Sequence, residues 1–447
     1  MSNLDYNTIV CFGDSLTQHG WDVSKHGWVA QLSQVYLRKL DVDNRGFSGY
    51  NSRWTLPLLP RILPTTDSEG ARPRILTILL GSNDAMLPGC VHHVPIEEYR
   101  SNIESMVNMV TDPQSANYSP DTKILLITPP ALGEKLYKSV GFDGRTPESV
   151  KACADVMRDI AERHSLPCVD LWTAVETQAK EIGGELDGYD KFSYDGIHLS
   201  AGDSLTQRGW DVSRNGWVAQ LSEVYARKLD VVSRGYGGYN SRWTLSLLPQ
   251  ILPTTDSKGP RPRLLTILLG SNDAFLPGLK QHVPIDEYRS NIESMVNMVT
   301  DPQSAHYSSD TKILLITPPA LGEKLYSSMC DLYVGRTPES VKACADVMRD
   351  IAERHSLPCV DLWTAVETQA KEVGGELDGY DAFSFDGVHL NAGGNDLLFK
   401  LVLQAIKQHY PELDPSKVPH VVPLLSELTA AIKENEDLDI AQFLKFK

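Results

Sequence analysis

Five residues in the first half of the chain have the types and spacing for acyl transfer: Ser15 in "GDSLTQ", Gly49 in "RGFSGYNSRW", Asn83 in "LLGSNDA", and Asp195 and His198 in "YDGIHLS". A serine hydroxyl becomes a useful nucleophile when a base takes its proton. His198 is a candidate base, and Asp195, three residues earlier, is placed to fix its tautomer. The tetrahedral intermediate needs donors for its oxyanion. The backbone N–H groups of Ser15 and Gly49 and the side-chain amide of Asn83 supply them, each worth about 2.7 to 4 kcal/mol of barrier. The scheme requires no metal and no cofactor. Taken singly, the same residues have plainer roles, since Asp, Ser and Asn cap helices and shape turns after strands. A lone histidine is more often structural, and the argument rests on the set.

The elements that must position these residues are legible as periodicity. Strand candidates are Thr8 to Phe12, a short run near Val42, Ile75 to Leu80, Ile124 to Thr128 and Cys168 to Leu171. Pro95 to Thr111 is a helix that places Ile96, Tyr99, Ile103, Met106 and Val110 on one face. Thr146 and Pro147 open another as N-cap and first-turn residue, with Val150, Met157 and Ile160 inward. Strands separated by helices predict an α/β fold with a parallel sheet between helix layers, and ligands then bind beyond the carboxyl ends of the strands. Ser15, Gly49 and Asn83 each come soon after one.

The pattern occurs twice. "RTPESVKACADVMRDIAERHSLPCVDLWTAVETQAKE" stands at Arg145 to Glu181 and again, letter for letter, at Arg336 to Glu372. A length of 447 residues suits two domains. The division drawn from the repeat is 1–201, 202–412 and a helical tail 413–447. Copy 1 stops at "HLSAG" and lacks the C-terminal helix that copy 2 carries at Asn395 to His409; copy 2 starts at "GDSLTQ" with no counterpart of "NTIVCF", and so lacks a first strand.

The four blocks, in this order, resemble the SGNH or GDSL hydrolase superfamily. "RGxxGYNSRW" and the later "HYPEL" resemble the branch of isoamyl acetate-hydrolysing esterases. The resemblance covers nearly all of both copies and implies two tandem flavodoxin-like three-layer α/β/α units. It makes Ser15 the nucleophile, His198 the general base and Asp195 its orienting acid, with Gly49 and Asn83 completing the oxyanion hole. In copy 2 the matching positions are Ser204, Asp386, His389, Gly238 and Asn272. Copy 2 departs from copy 1 at Ser233 and Gly237, where copy 1 has Asn44 and Ser48. The implied substrates are small esters such as acetates of short alcohols; thioesterase and polysaccharide deacetylase activity use the same chemistry. There is no G-x-S-x-G elbow, no GxxxxGK[ST] and no GxGxxG.

Bulk properties agree with a small neutral substrate. The formal charge is −16 and no Lys or Arg run occurs, which disfavours nucleic acid or an anionic membrane as partner. No basic leader and no stretch of about 18 apolar residues appears. The seven cysteines are odd in number and form no CxxC, as expected of reduced thiols in the cytoplasm. His92 and His93 suggest a metal, but copy 2 has Gln281 and His282 there, so a surface loop is expected. Trp54 and Trp243 are expected in core or pocket wall, and Arg53 and Arg242 as loop anchors. No oligomeric state is legible.

The junction sets the two copies in competition. From His198 to Ser204 the chain spans at most about 20 Å. A strand preceding Ser204 has only Ile197 to Ala201 to draw on, which pulls His198 into a sheet. A central strand is buried on both faces and bonded on both edges, so its loss costs more than that of an outer helix. Copy 1 is therefore expected to be the more native-like sheet, with copy 2 distorted around Ser204. The competing class is a fusion product of two duplicated genes, impaired or non-catalytic.

Overall fold

The computed structural model describes residues 7–22, 27–36, 39–68, 72–139, 141, 143–183, 187–189, 209, 211–257, 261–329, 335–435 and 438–444. Asp195, His198 and Ser204, and the junction expected around them, lie outside the described residues. The chain forms two compact units. One groups the described residues within Tyr6–Asp203, Ser222–Val232 and Pro419–Lys447; the other groups those within Ser204–Leu221 and Ser233–Val418.

In the first unit, strands β1 (Thr8–Gly13), β2 (Asp41–Gly46), β3 (Ile75–Leu79), β4 (Lys123–Ile127) and β5 (Cys168–Val169) form a parallel sheet of order β2-β1-β3-β4-β5. β1 and β3 are apolar and almost wholly buried, as interior parallel strands must be. β2, "DVDNRG", is polar and half-buried, which suits an edge. Helices Ile96–Thr111 and Pro147–Arg163 pack together over one core. The second begins at a capping box between Thr146 and Ser149, and Val150, Met157 and Ile160 face inward as its periodicity requires. Tyr99, Ile103, Met106 and Val110 are buried likewise, but Ile96 is 37% exposed. It is the first residue of its helix, where the apolar stripe has not yet reached the sheet.

The second unit has a sheet of three parallel strands, β6 (Leu264–Leu268), β7 (Lys312–Ile316) and β8 (Cys359–Val360), in that order. Among the described residues this unit has no counterpart of β1, and none of β2. Asp230–Gly235, the counterpart of β2, adopts no strand. The order of the first sheet gives the reason: β2 pairs only with β1, and among the described residues the second unit offers no counterpart of β1 for a ladder. The fold is two tandem α/β/α units with parallel sheets; among the described residues the first has no C-terminal helix and the second no first strand.

Identical sequences show what each loss exposes. Helix Ala392–His409, N-capped by Asn391, packs Leu398, Val402 and Ile406 inward beside β8. Val360 of β8 is 4% exposed there, whereas its twin Val169 in β5 is 44% exposed. At the other edge, Leu76 and Leu80 are fully buried beside β1, but Leu265 and Leu269 are only partly buried. The first unit recruits other cover. Val422, Leu428 and Leu444 from the end of the chain are buried in its core, and Arg61 Nη1 donates to the Leu444 carbonyl at 2.7 Å.

Candidate active site

In the first unit the ends of β1, β2 and β3 carry three loops that are tied to one another. Gly13 ends β1; a Cβ there would lie 2.3 Å from Thr17 Oγ1 and 2.4 Å from the Leu79 carbonyl, so only glycine lets the chain turn so close to β3. Asp14 then caps the short helix Ser15–Gln18, accepting from Leu16 N at 2.9 Å. Ser15 stands at the first position of that helix, half-buried.

After β2 comes the glycine turn. Gly49 has φ +80°, and Asn51 caps the next helix by accepting from Trp54 N at 3.0 Å. Asn44 bridges this loop to the serine turn: its Nδ2 donates to the Thr17 carbonyl at 2.6 Å, and its Oδ1 accepts from Gly46 N at 2.8 Å. Ser48 N donates to Gln18 Oε1 at 2.9 Å. Nothing in the sequence singled out Asn44 for this role beyond its replacement by Ser233 in copy 2.

After β3, Asn83 Nδ2 donates to the Tyr50 carbonyl at 2.8 Å, and Ser52 N donates to Asp84 Oδ1 at 2.9 Å. Ser52 Oγ accepts from Asn102 on helix Ile96–Thr111 at 2.9 Å. Burial pushes the Asp84 carboxyl up to about 6, against the hydrogen bonds from Ser52 that lower it. The structure thus brings Ser15, Gly49 and Asn83 onto adjoining loops at one end of the sheet; Asp195 and His198 are outside the described residues.

The second unit repeats the half of this site that hangs on the third strand. Gly238 has φ +81°, Asn272 Nδ2 donates to the Tyr239 carbonyl at 2.8 Å, and Ser241 N donates to Asp273 Oδ1 at 2.8 Å. Those anchors come from the loop after β6. The loop at the counterpart of β2, which forms no strand, is looser. Tyr239 and Trp243 are partly exposed where Tyr50 and Trp54 are buried, and Ser233 offers Gly235 N only a 3.4 Å contact.

The second unit also brings Asp386 and His389 together. Asp386 Oδ2 is 2.6 Å from His389 Nδ1, while Asp386 Oδ1 accepts from the backbone N–H groups of Val388 at 3.0 Å and His389 at 2.7 Å. Burial works to raise the Asp386 carboxyl, but the bonds from His389 and the two amides hold it below its usual value. The imidazole is half exposed and stacks on Phe385 at 5.7 Å between ring centres. An Asp-x-x-His turn whose carboxylate grips both the ring and the backbone leaves Nε2 as the nitrogen able to exchange a proton. Ser204, its expected nucleophile, is outside the described residues.

The remaining candidates settle into structural places. Trp54 is core. Arg53 pairs with Glu98 at 2.7 Å and Arg242 with Glu287 at 2.7 Å; both arginines stand at helix starts rather than in loops, and each ties its helix to the first turn of another. His93 Nδ1 meets the Met86 carbonyl at 2.6 Å. Among the described residues no cluster of three or more His, Cys, Asp and Glu could hold a metal ion, and no helix is long and apolar enough to cross a membrane.

A family model described as the GDSL-like Lipase/Acylhydrolase family matches residues 11–201 and again residues 200–397. The chain is 34% identical over 232 residues to GDSL esterase/lipase At5g62930 of Arabidopsis thaliana, across 49% of this chain and 89% of that protein. It is 32% identical over 209 residues to the isoamyl acetate-hydrolyzing esterase 1 homolog of Mus musculus, across 45% of this chain and 77% of that protein. Among solved structures, the lipase/acylhydrolase from Enterococcus faecalis is similar at 22% identity and a TM-score of 0.31, over 43% of this chain and 87% of that one.

Proposed function

The chain belongs to the GDSL-like Lipase/Acylhydrolase family, and on that premise we propose that it hydrolyses small carboxylic esters, acetates of short alcohols among them, through a Ser-His-Asp acyl-enzyme mechanism. Ester hydrolysis in general follows from the family. The finer reading rests on the site. Ser15 attacks the acyl carbon and its proton passes to His198, which Asp195 orients; the oxyanion receives bonds from the Ser15 and Gly49 N–H groups and from Asn83. His198 then returns the proton to the leaving alcohol, and water repeats the sequence on the acyl-enzyme. Ser204, His389, Asp386, Gly238 and Asn272 take the same parts in copy 2.

The observation that carries the mechanism is the 2.6 Å contact between Asp386 and His389, made within an Asp-x-x-His turn that copy 1 repeats in sequence. Location in the cytoplasm belongs to the same reading, and is supported by six described cysteines that are all free. A second reading, impairment of the copy 2 site, is favoured by the three-stranded sheet, because Ser204 has no described strand ahead of it.

Titration with a serine-directed phosphonate tests both. Two labels per chain are expected if both sites work, and one, on Ser15, if copy 2 is impaired. No label on Ser15 or Ser204, with no hydrolysis of p-nitrophenyl acetate, would defeat the esterase mechanism.

A further inference from the structure

We propose that Arg145, and Arg336 in copy 2, are positioning residues that lock the oxyanion-hole asparagine in its working orientation. The inference rests on reading Asn83 and Asn272 as oxyanion donors. Arg145 stands 62 residues after Asn83, in the loop before helix Pro147–Arg163, yet its guanidinium reaches back to the end of β3. Nη2 donates to Asn83 Oδ1 at 2.8 Å and Nε donates to the carbonyl of Ser82, the preceding residue, at 2.6 Å. Nη1 donates to Tyr137 Oη at 2.9 Å.

A primary amide has one acceptor oxygen and two N–H bonds. Arg145 takes the oxygen of Asn83 and the Tyr50 carbonyl takes one N–H. Among the described residues nothing else takes the second N–H, which is left to donate to a developing oxyanion. A flipped amide would set its NH2 against the guanidinium and its oxygen against a carbonyl, so both contacts would turn repulsive. The arginine therefore decides which way the asparagine points. It also polarises the amide, since a hydrogen bond accepted at oxygen strengthens the one donated at nitrogen.

The guanidinium is unusual in what it does not bind. Among the described residues no carboxylate pairs with Arg145, and its three bonds go to neutral acceptors. Its positive charge thus remains available near the place where negative charge develops. The fork geometry explains why the residue is arginine: Nε and Nη2 must reach a backbone carbonyl and the next side chain at once, which a lysine ammonium cannot reproduce.

Copy 2 repeats the arrangement. Arg336 Nη2 donates to Asn272 Oδ1 at 2.8 Å, Nε to the Ser271 carbonyl and Nη1 to Tyr326 Oη at 3.2 Å, while Asn272 Nδ2 keeps its bond to the Tyr239 carbonyl. The contact forms in the unit whose described sheet has three strands, because Ser271, Asn272, Tyr326 and Arg336 all follow β6.

The test uses the full chain with both copies changed together, so that whichever site works reports, and reads kcat and KM for p-nitrophenyl acetate. Arg145→Met with Arg336→Met should lower kcat about 30- to 100-fold with KM within about threefold, the range for a mispositioned oxyanion donor. Adding these changes to Asn83→Ala with Asn272→Ala should lower kcat by no more than about threefold beyond the asparagine pair alone. Unchanged kcat in the arginine pair, or losses that multiply, would overturn the proposal. Unchanged kcat in the asparagine pair would instead defeat the oxyanion reading on which it rests. Arg145→Lys with Arg336→Lys keeps charge and stem and guards against a folding defect. With its melting temperature preserved, kcat should stay at least about tenfold down; full activity would show that the fork is not needed.

Discussion

Replacing Asn44 by the residue that copy 2 carries at its counterpart asks whether the serine turn needs its bridge to β2. In Asn44→Ser the donor to the Thr17 carbonyl at 2.6 Å and the weaker one to Gln18 at 3.3 Å are lost. The acceptor for Gly46 N at 2.8 Å is at best replaced by a long contact, as Ser233 shows at 3.4 Å. Thr17 is buried, so its carbonyl has no easy recourse to water. Leaving such a group unsatisfied costs about 1 to 3 kcal/mol. If about 1 to 2 kcal/mol of that falls on the working geometry of the turn, phosphonate labelling of Ser15 slows about 5- to 30-fold. The assay is the labelling rate of the Ser15 peptide, separated by mass from the Ser204 peptide. Ser48→Gly is the internal control, because Ser48 contacts Gln18 through its backbone N–H, which glycine keeps; its labelling should stay within about twofold. Equal labelling in wild type and Asn44→Ser, with an unchanged unfolding midpoint, would refute the reasoning.

Three further outcomes are expected. Val360→Ala should cost about 2 to 3 kcal/mol and Val169→Ala less than about 1 kcal/mol, because the same side chain is 4% exposed in one copy and 44% in the other; urea unfolding of the two variants compares them. Leu428→Ala, at a fully buried position in the first unit's core, should cost about 2 to 5 kcal/mol, and hydrogen exchange should show the loss in β1 to β4. Asp84, whose carboxyl is raised by burial from 3.8 to about 6, binds more protons folded than unfolded between those values. Its contribution to stability is therefore full below about pH 4 and falls by about 3 kcal/mol as pH rises to about 6. Asp84→Asn should remove that slope in urea midpoints taken at pH 4 and pH 7; an unchanged slope would assign it to other groups.

Much of the molecule was legible before any coordinates. Strands β1, β3 and β4 are short apolar runs, the helix after Thr146 announces itself by its cap, and the order of the four blocks places Ser15, Gly49 and Asn83 at strand ends. The repeat itself told which end each copy lacks. All these signals are local: they depend on periodicity, capping and turn chemistry within a few residues of one another.

Tertiary structure decided the rest, because it depends on partners far away in the chain. "DVDNRG" is a strand in copy 1 only because β1 lies beside it, and no feature of the similar "DVVSRG" says that the ladder is gone. Val169 and Val360 sit in identical sequence for many residues either way, yet a helix that the described residues show only beside Val360 accompanies its burial. The grip of Arg145 on Asn83 joins two loops across 62 residues, and Leu444 bonds to Arg61 from 383 residues away. A backbone stretch encodes what it can become by itself; which of those outcomes it takes is set by hydrogen bonds and apolar cover that other segments supply.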